Sequence, residues 1–223
     1  LRGAVHRASC TLGDYLANAP ESRGMGTTLV VSMTVGNDLY WASVGDSLLY
    51  LYRDGQLERL NADHSMGPSI DAMVAAGLLD QDEAVNHPQR NQLLSAICGT
   101  EYKYLDCPDT PRKLEAGDIV ILASDGLQTL EEPEIRDCIA HFEEASARDI
   151  SKALIDLTLT AQDPEQDNVS AMVLKIEKNE ATVQPVQREK PTAETKAPST
   201  ARDVKQDSEI EEASDLLNQA FFG

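Results

Sequence analysis

Residues 27–60 place the tightest limit on the fold. "TLVVSMTV", "DLYWASVG" and "SLLYLYRDGQLERL" are rich in β-branched, aromatic and other apolar residues, and the pairs Gly36-Asn37 and Asp54-Gly55 fall between the apolar runs. Residues of the first kind suit a pleated, half-buried surface, and Gly, Asn and Asp suit the positive φ angles of short hairpin turns. The stretch therefore predicts an antiparallel meander that opens on a buried strand. A chain that pairs its strands this way is not a regular alternation of strand and crossover helix.

The remainder supplies helices and two further strands. Ala4, Val5, Ala8, Leu12, Tyr15 and Leu16 repeat at helical spacing from the first residue, Leu1, the pattern of a chain that starts inside an element. "SRGMGTT" reads as a Gly-rich turn. "SIDAMVAAGLLDQDEAV" predicts a short amphipathic helix followed by a polar loop, and Leu93–Ile97 predicts a strand. "GDIVILAS" is the most strand-like run of the second half. Helices are expected near Glu132–Phe142 and Ala147–Ala161, with a last strand at "NVSAMVLKI". Strands cluster, helices follow, and one strand returns, which favours an α+β layer architecture.

Composition narrows the function. Lysine and arginine total 19 against 38 acidic residues, a net charge of −19, so attraction to nucleic acid or anionic membranes is not expected. The acidity suits cations or a basic partner. Cys10, Cys98, Cys107 and Cys138 show no zinc spacing and read as reduced thiols, which points to a cytoplasmic setting. From residue 179 to about 209 the composition turns polar and Pro-interrupted, as in a disordered linker. Beyond it, Ile210, Ala213, Leu216, Leu217, Ala220 and Phe221 share one helical face. That segment reads either as a fraying tail or as a helix that docks on a partner. The expected division is thus a domain at 1–177, a linker at 178–209 and a short amphipathic helix at 210–223.

Three aspartates stand at comparable places. Asp46 follows "ASVG", Asp125 follows "ILAS", and Asp167 with Asn168 opens the last strand. A carboxylate at a strand end, with Gly126 letting the backbone turn tightly behind it, is a way to present an oxygen ligand. Asp125 could equally cap the helix that follows, and each aspartate alone could be a turn residue. The conjunction points to chemistry: oxygens gathered at strand ends form the hard, anionic pocket that Mg²⁺ or Mn²⁺ prefers.

The blocks "GMGTTLVV", "LYWASVGDSLLYLYRDGQLERLNADHS", "HPQRNQLLSAICG", "GDIVILASDGL" and "DNVSAMVLKI" occur in the order seen in metal-dependent Ser/Thr protein phosphatases of type 2C, in their bacterial form. Residues 1–177 resemble that family. The resemblance implies a sandwich of two antiparallel β-sheets flanked by helices, with a centre for two Mn²⁺ or Mg²⁺ ions at one edge. It implies metal ligation by Asp125 and Asp167, and a weaker third ion near Asp46. It further implies a mobile flap at "HSMGPSIDAMVAAG", and hydrolysis of phosphoserine or phosphothreonine in protein substrates by metal-activated water, with no side-chain nucleophile assigned.

Against the family pattern, the first-strand Arg and acidic motif and the Asp-Gly-x-Gly-Gly segment do not occur in this sequence. The sandwich is accordingly expected to be incomplete at its N-terminal side and the fragment's own activity to be low. A non-catalytic, phosphatase-like interaction module is the alternative. Arg90 in "HPQRN" reads as a solvated turn residue ahead of a phosphate contact, and His64 lacks a second histidine at metal spacing.

Overall fold

The computed structural model describes residues 1–164 and 166–177. The expected linker and C-terminal helix lie outside the described residues. Among the described residues, five α-helices, α1 (Arg2–Asn18), α2 (Gly67–Ala75), α3 (Gln81–Val85), α4 (Glu132–His141) and α5 (Ala147–Thr160), accompany seven strands. These are β1 (Leu29–Val35), β2 (Asp38–Val44), β3 (Leu48–Arg53), β4 (Gln56–Arg59), β5 (Arg112–Lys113), β6 (Ile119–Ala123) and β7 (Ala171–Lys175).

The strands form two antiparallel sheets, ordered β1-β2-β5 and β4-β3-β6-β7. The expected single meander is therefore two hairpins in different sheets. Both turn pairs hold: Gly36 has φ 59°, Asp54 φ 50° and Gly55 φ 75°. Between the hairpins the chain changes sheet at Gly45, whose φ of 103° suits glycine and whose missing Cβ leaves room for the Thr28 side chain.

Packing explains why the strands read as continuous apolar runs. In β3, Leu48, Tyr50 and Tyr52 face α4 and α5, joining Ile119, Ile121, Ile135, Ile139, Ile150 and Leu154. The alternate residues Leu49 and Leu51 meet Leu39, Trp41 and Val120 between the sheets. A strand covered on both faces has no polar side to show. On the other side, Val5 of α1 packs with Ala42, Val44 and Ile97.

Several expectations need correction. The face of α1 turned inward is carried by Val5 and Ser9, while Ala4, Ala8 and Tyr15 are exposed. β1 is an edge strand, half-buried at best, with Met33 and Val35 exposed, because it pairs on one side only. Leu93–Ile97 is not a strand: its ends make single bridges, Ser65 with Leu93 and Thr27 with Ile97. The polar loop after α2 contains α3, whose start is capped by Asp80 Oδ1 accepting from the Asp82 N–H at 2.9 Å.

Candidate metal centre

Strand register gathers the three aspartates. Leu48 of β3 pairs with Ala123 of β6, and Ala123 pairs with Ala171 of β7, so these residues form one row across the sheet. Asp46 lies just before the start of β3, Asp125 just after the end of β6, and Asp167 just before the start of β7. Because neighbouring strands run antiparallel, all three emerge at the same end of the sheet. They line one cavity of about 440 Å³ with Asp163, Asn91, Gly126, Gln128 and Thr129.

Asp46 is buried in this cavity, whereas Asp125, Asp163 and Asp167 are exposed. Each of two carboxylates is steadied by its own loop: Asp125 Oδ1 accepts from the Gly126 N–H at 3.0 Å and Asp167 Oδ1 from the Asn168 N–H at 2.7 Å. Asp125 opens a 3-10 turn, Asp125–Thr129, instead of capping a helix with its side chain. Gly126 is needed for a different reason than a special φ. Its Cα lies against the 167–168 backbone, where a Cβ would meet the Asn168 carbonyl oxygen at 2.5 Å. The two aspartate loops touch because residue 126 has no side chain.

Four carboxylates line the cavity. The Asp46 carboxyl is pushed above its ordinary value by burial first and by the Asp125 carboxylate second; its own backbone N–H and Arg59 oppose this. All four carboxylates are hard oxygen donors of the kind Mg²⁺ and Mn²⁺ take, so the donor chemistry fits. They share the cavity without converging on a point. Among the described residues, no three His, Cys, Asp or Glu side chains gather closely enough to hold an ion between them.

A second cavity of about 590 Å³ adjoins the first, with Asn91 and Gln128 lining both. The segment expected to be a flap contributes Ser65, Gly67, Pro68 and Asp71, the last three in α2. Arg90 also lines it and is not a free solvated side chain: its guanidinium forks onto Asp71 at 2.7 and 3.2 Å. His64 is a buried structural residue whose Nδ1 accepts from the Gly45 N–H at 3.2 Å, and burial lowers its pKa. Asp163 is the member of the acidic group that sequence reasoning missed.

Residues 7–67 match the family model Protein phosphatase 2C. The serine/threonine protein phosphatase PstP of Mycobacterium tuberculosis is 32% identical over 177 residues, 79% of this chain and 32% of the relative. Its crystal structure superposes with a TM-score of 0.67, covering 80% of this chain and 72% of that one at 32% identity. The serine/threonine phosphatase stp of Listeria welshimeri is 31% identical over 182 residues, 80% of this chain and 67% of the relative. The chain belongs to the protein phosphatase 2C family.

It spans about a third of the length of the M. tuberculosis relative that it matches. A solved structure of the PstP catalytic domain in complex with two manganese ions also matches this protein phosphatase 2C chain. The TM-score is 0.57 at 30% identity, with 75% of this chain and 67% of that one covered. The two antiparallel sheets and their flanking helices are thus the fold of bacterial protein phosphatase 2C enzymes.

Proposed function

We propose that this chain is part of a metal-dependent protein serine/threonine phosphatase acting on phosphoproteins. The observation that carries the reading is the arrival of Asp46, Asp125 and Asp167 at one cavity from the registered ends of three neighbouring strands, in a chain of this family. Asp125 and Asp167 would hold divalent cations, Mn²⁺ or Mg²⁺, with Asp46 and Asp163 beside them. Bound there, such ions make water a nucleophile near neutral pH and neutralise charge on a phosphoryl group. The carboxylates supply the negative charge that holds the cations. Asn91 and Gln128, on the shared wall, carry amide N–H donors of the kind that orients phosphoryl oxygens. No cysteine lines the cavity, and the four free thiols support a cytoplasmic setting. Among the described residues no helix is long and apolar enough to cross a membrane.

The second reading is a phosphatase-like module without turnover, and the observation that favours it is that the carboxylates share the cavity without converging among the described residues. Mn²⁺ titration calorimetry on the chain, Asp125→Ala and Asp167→Ala tests the metal centre. Both variants should lose much of the affinity with the fold intact, and equal binding in all three would refute the assignment. Turnover of p-nitrophenyl phosphate with Mn²⁺ separates the two readings. The 223-residue chain is expected to be poor; joined to a segment bearing Asp-Gly-x-Gly-Gly it should become active, and if it stays inactive the module reading stands.

A further inference from the structure

The corner that carries Asp46 is gripped by one short segment. The Gly45 N–H donates to His64 Nδ1, and the Gly45 carbonyl accepts from the His64 N–H at 3.1 Å. On the other side of Asp46, Asn61 Nδ2 donates to the Ser47 carbonyl and Asn61 Oδ1 accepts from the Leu49 N–H, each at 2.8 Å. The carbonyl of Asp46 itself is held by Arg59 Nη2 at 2.9 Å. Arg59 Nη1 pairs with Asp63 at 3.1 Å, while Arg59 Nε is buried with no hydrogen-bond partner among the described residues.

We propose that Arg59 is a positioning residue of the metal centre: by holding the Asp46 carbonyl it sets where the Asp46 carboxylate stands in the acidic cavity. His64 holds Gly45 on one side and Asn61 holds Ser47 on the other, and Arg59 holds the Asp46 carbonyl between them. Residues that orient a ligand from behind commonly govern metal affinity. The inference rests on the reading of the cavity as a metal centre. Charge and position act with opposite signs here. As a bare positive charge Arg59 would repel an incoming cation, so its removal would tighten binding; as a positioning group its removal loosens it.

The test is Mn²⁺ calorimetry on the full chain, with thermal midpoints recorded alongside. Arg59→Lys keeps the charge and loses the fork, and Arg59→Met loses both. Each is expected to bind Mn²⁺ about tenfold more weakly than the parent. A Lys variant with parental affinity, or a Met variant that binds more tightly, overturns the proposal. The double variant with Asp46→Asn isolates the route of the effect. If Arg59 works through Asp46, Arg59→Lys adds no further loss on that background, and a fully additive loss overturns the proposal. If Asp46→Asn alone binds as the parent does, the fault lies earlier: Asp46 is then outside the metal centre, whatever Arg59 does.

Discussion

Gly126→Ala should separate Asp125 from Asp167 without changing a single charged group. The new Cβ would stand 2.5 Å from the Asn168 carbonyl oxygen, 2.9 Å from its carbon and 3.0 Å from the Asp167 carbonyl oxygen, all of them backbone atoms that cannot swing aside. Ordinary contact begins near 3.4 Å, so the two loops must part by about 0.9 Å. Overpacking of this kind costs about 1–3 kcal/mol. For a chain of this size each kcal/mol lowers the melting midpoint by about 2–4 °C. If Asp125 and Asp167 hold the ion as proposed, displacing them relative to each other should weaken Mn²⁺ binding roughly ten- to a hundredfold. The control is Gly36→Ala, at φ 59° with no atom within 4 Å, which costs about 1–2 kcal/mol through backbone strain alone and lies in the β1–β2 turn. Urea denaturation and Mn²⁺ calorimetry on both variants give the answer. Similar stability losses with weakened Mn²⁺ binding only in Gly126→Ala are expected. Parental Mn²⁺ affinity in Gly126→Ala would refute the claim that loop contact sets the ligand spacing.

Two pH effects follow from buried groups. The Asp46 pKa is raised in the folded chain, so its ionisation opposes folding above the ordinary value of 3.8. In the presence of a chelator, Asp46→Asn should therefore stabilise the chain at neutral pH and lose that advantage in acid, and urea melts showing the same gain at all pH values would contradict this. The His64 pKa is lowered by burial, so the stability due to its neutral form is full above 6.5 and declines as pH falls below it. His64→Asn keeps an acceptor for the Gly45 N–H and cannot titrate; its melts at about pH 5.5 and about pH 8 should differ less than those of the parent.

The strands β3 and β6 were legible because they are buried on both faces and carry unbroken apolar runs, and β2 because Leu39, Tyr40, Trp41, Ala42 and Val44 are apolar and mostly buried. The same property hid the change of sheet at Gly45, since apolar runs on either side look alike whichever sheet they join. Leu93 and Ile97 misled because their apolar side chains sit in irregular backbone that contributes one bridge at each end. Asp46, Asp125 and Asp167 could be found because each borders a strand. Asp163 follows α5 in the loop "AQDPEQDN", with no apolar run beside it to set it apart from a solvated residue. Gly126 was singled out correctly and for the wrong cause: tight turning is a local property, whereas its contact with Asn168 joins segments remote in sequence.

The shared row Leu48–Ala123–Ala171 divides the molecule into a conservative end and a permissive one. At the end bearing the aspartates, one added residue in β3, β6 or β7 would carry its carboxylate about 3.4 Å along the strand, so length changes there would have to be matched across strands. The opposite end carries the Asp54-Gly55 turn and Gly117, five residues of β6 or about 17 Å away. Both glycines there, with φ 75° and 102°, have open space around them. Fluorophores, affinity tags or whole inserted domains belong at that turn, where they can report on the cavity from a distance without disturbing its spacing.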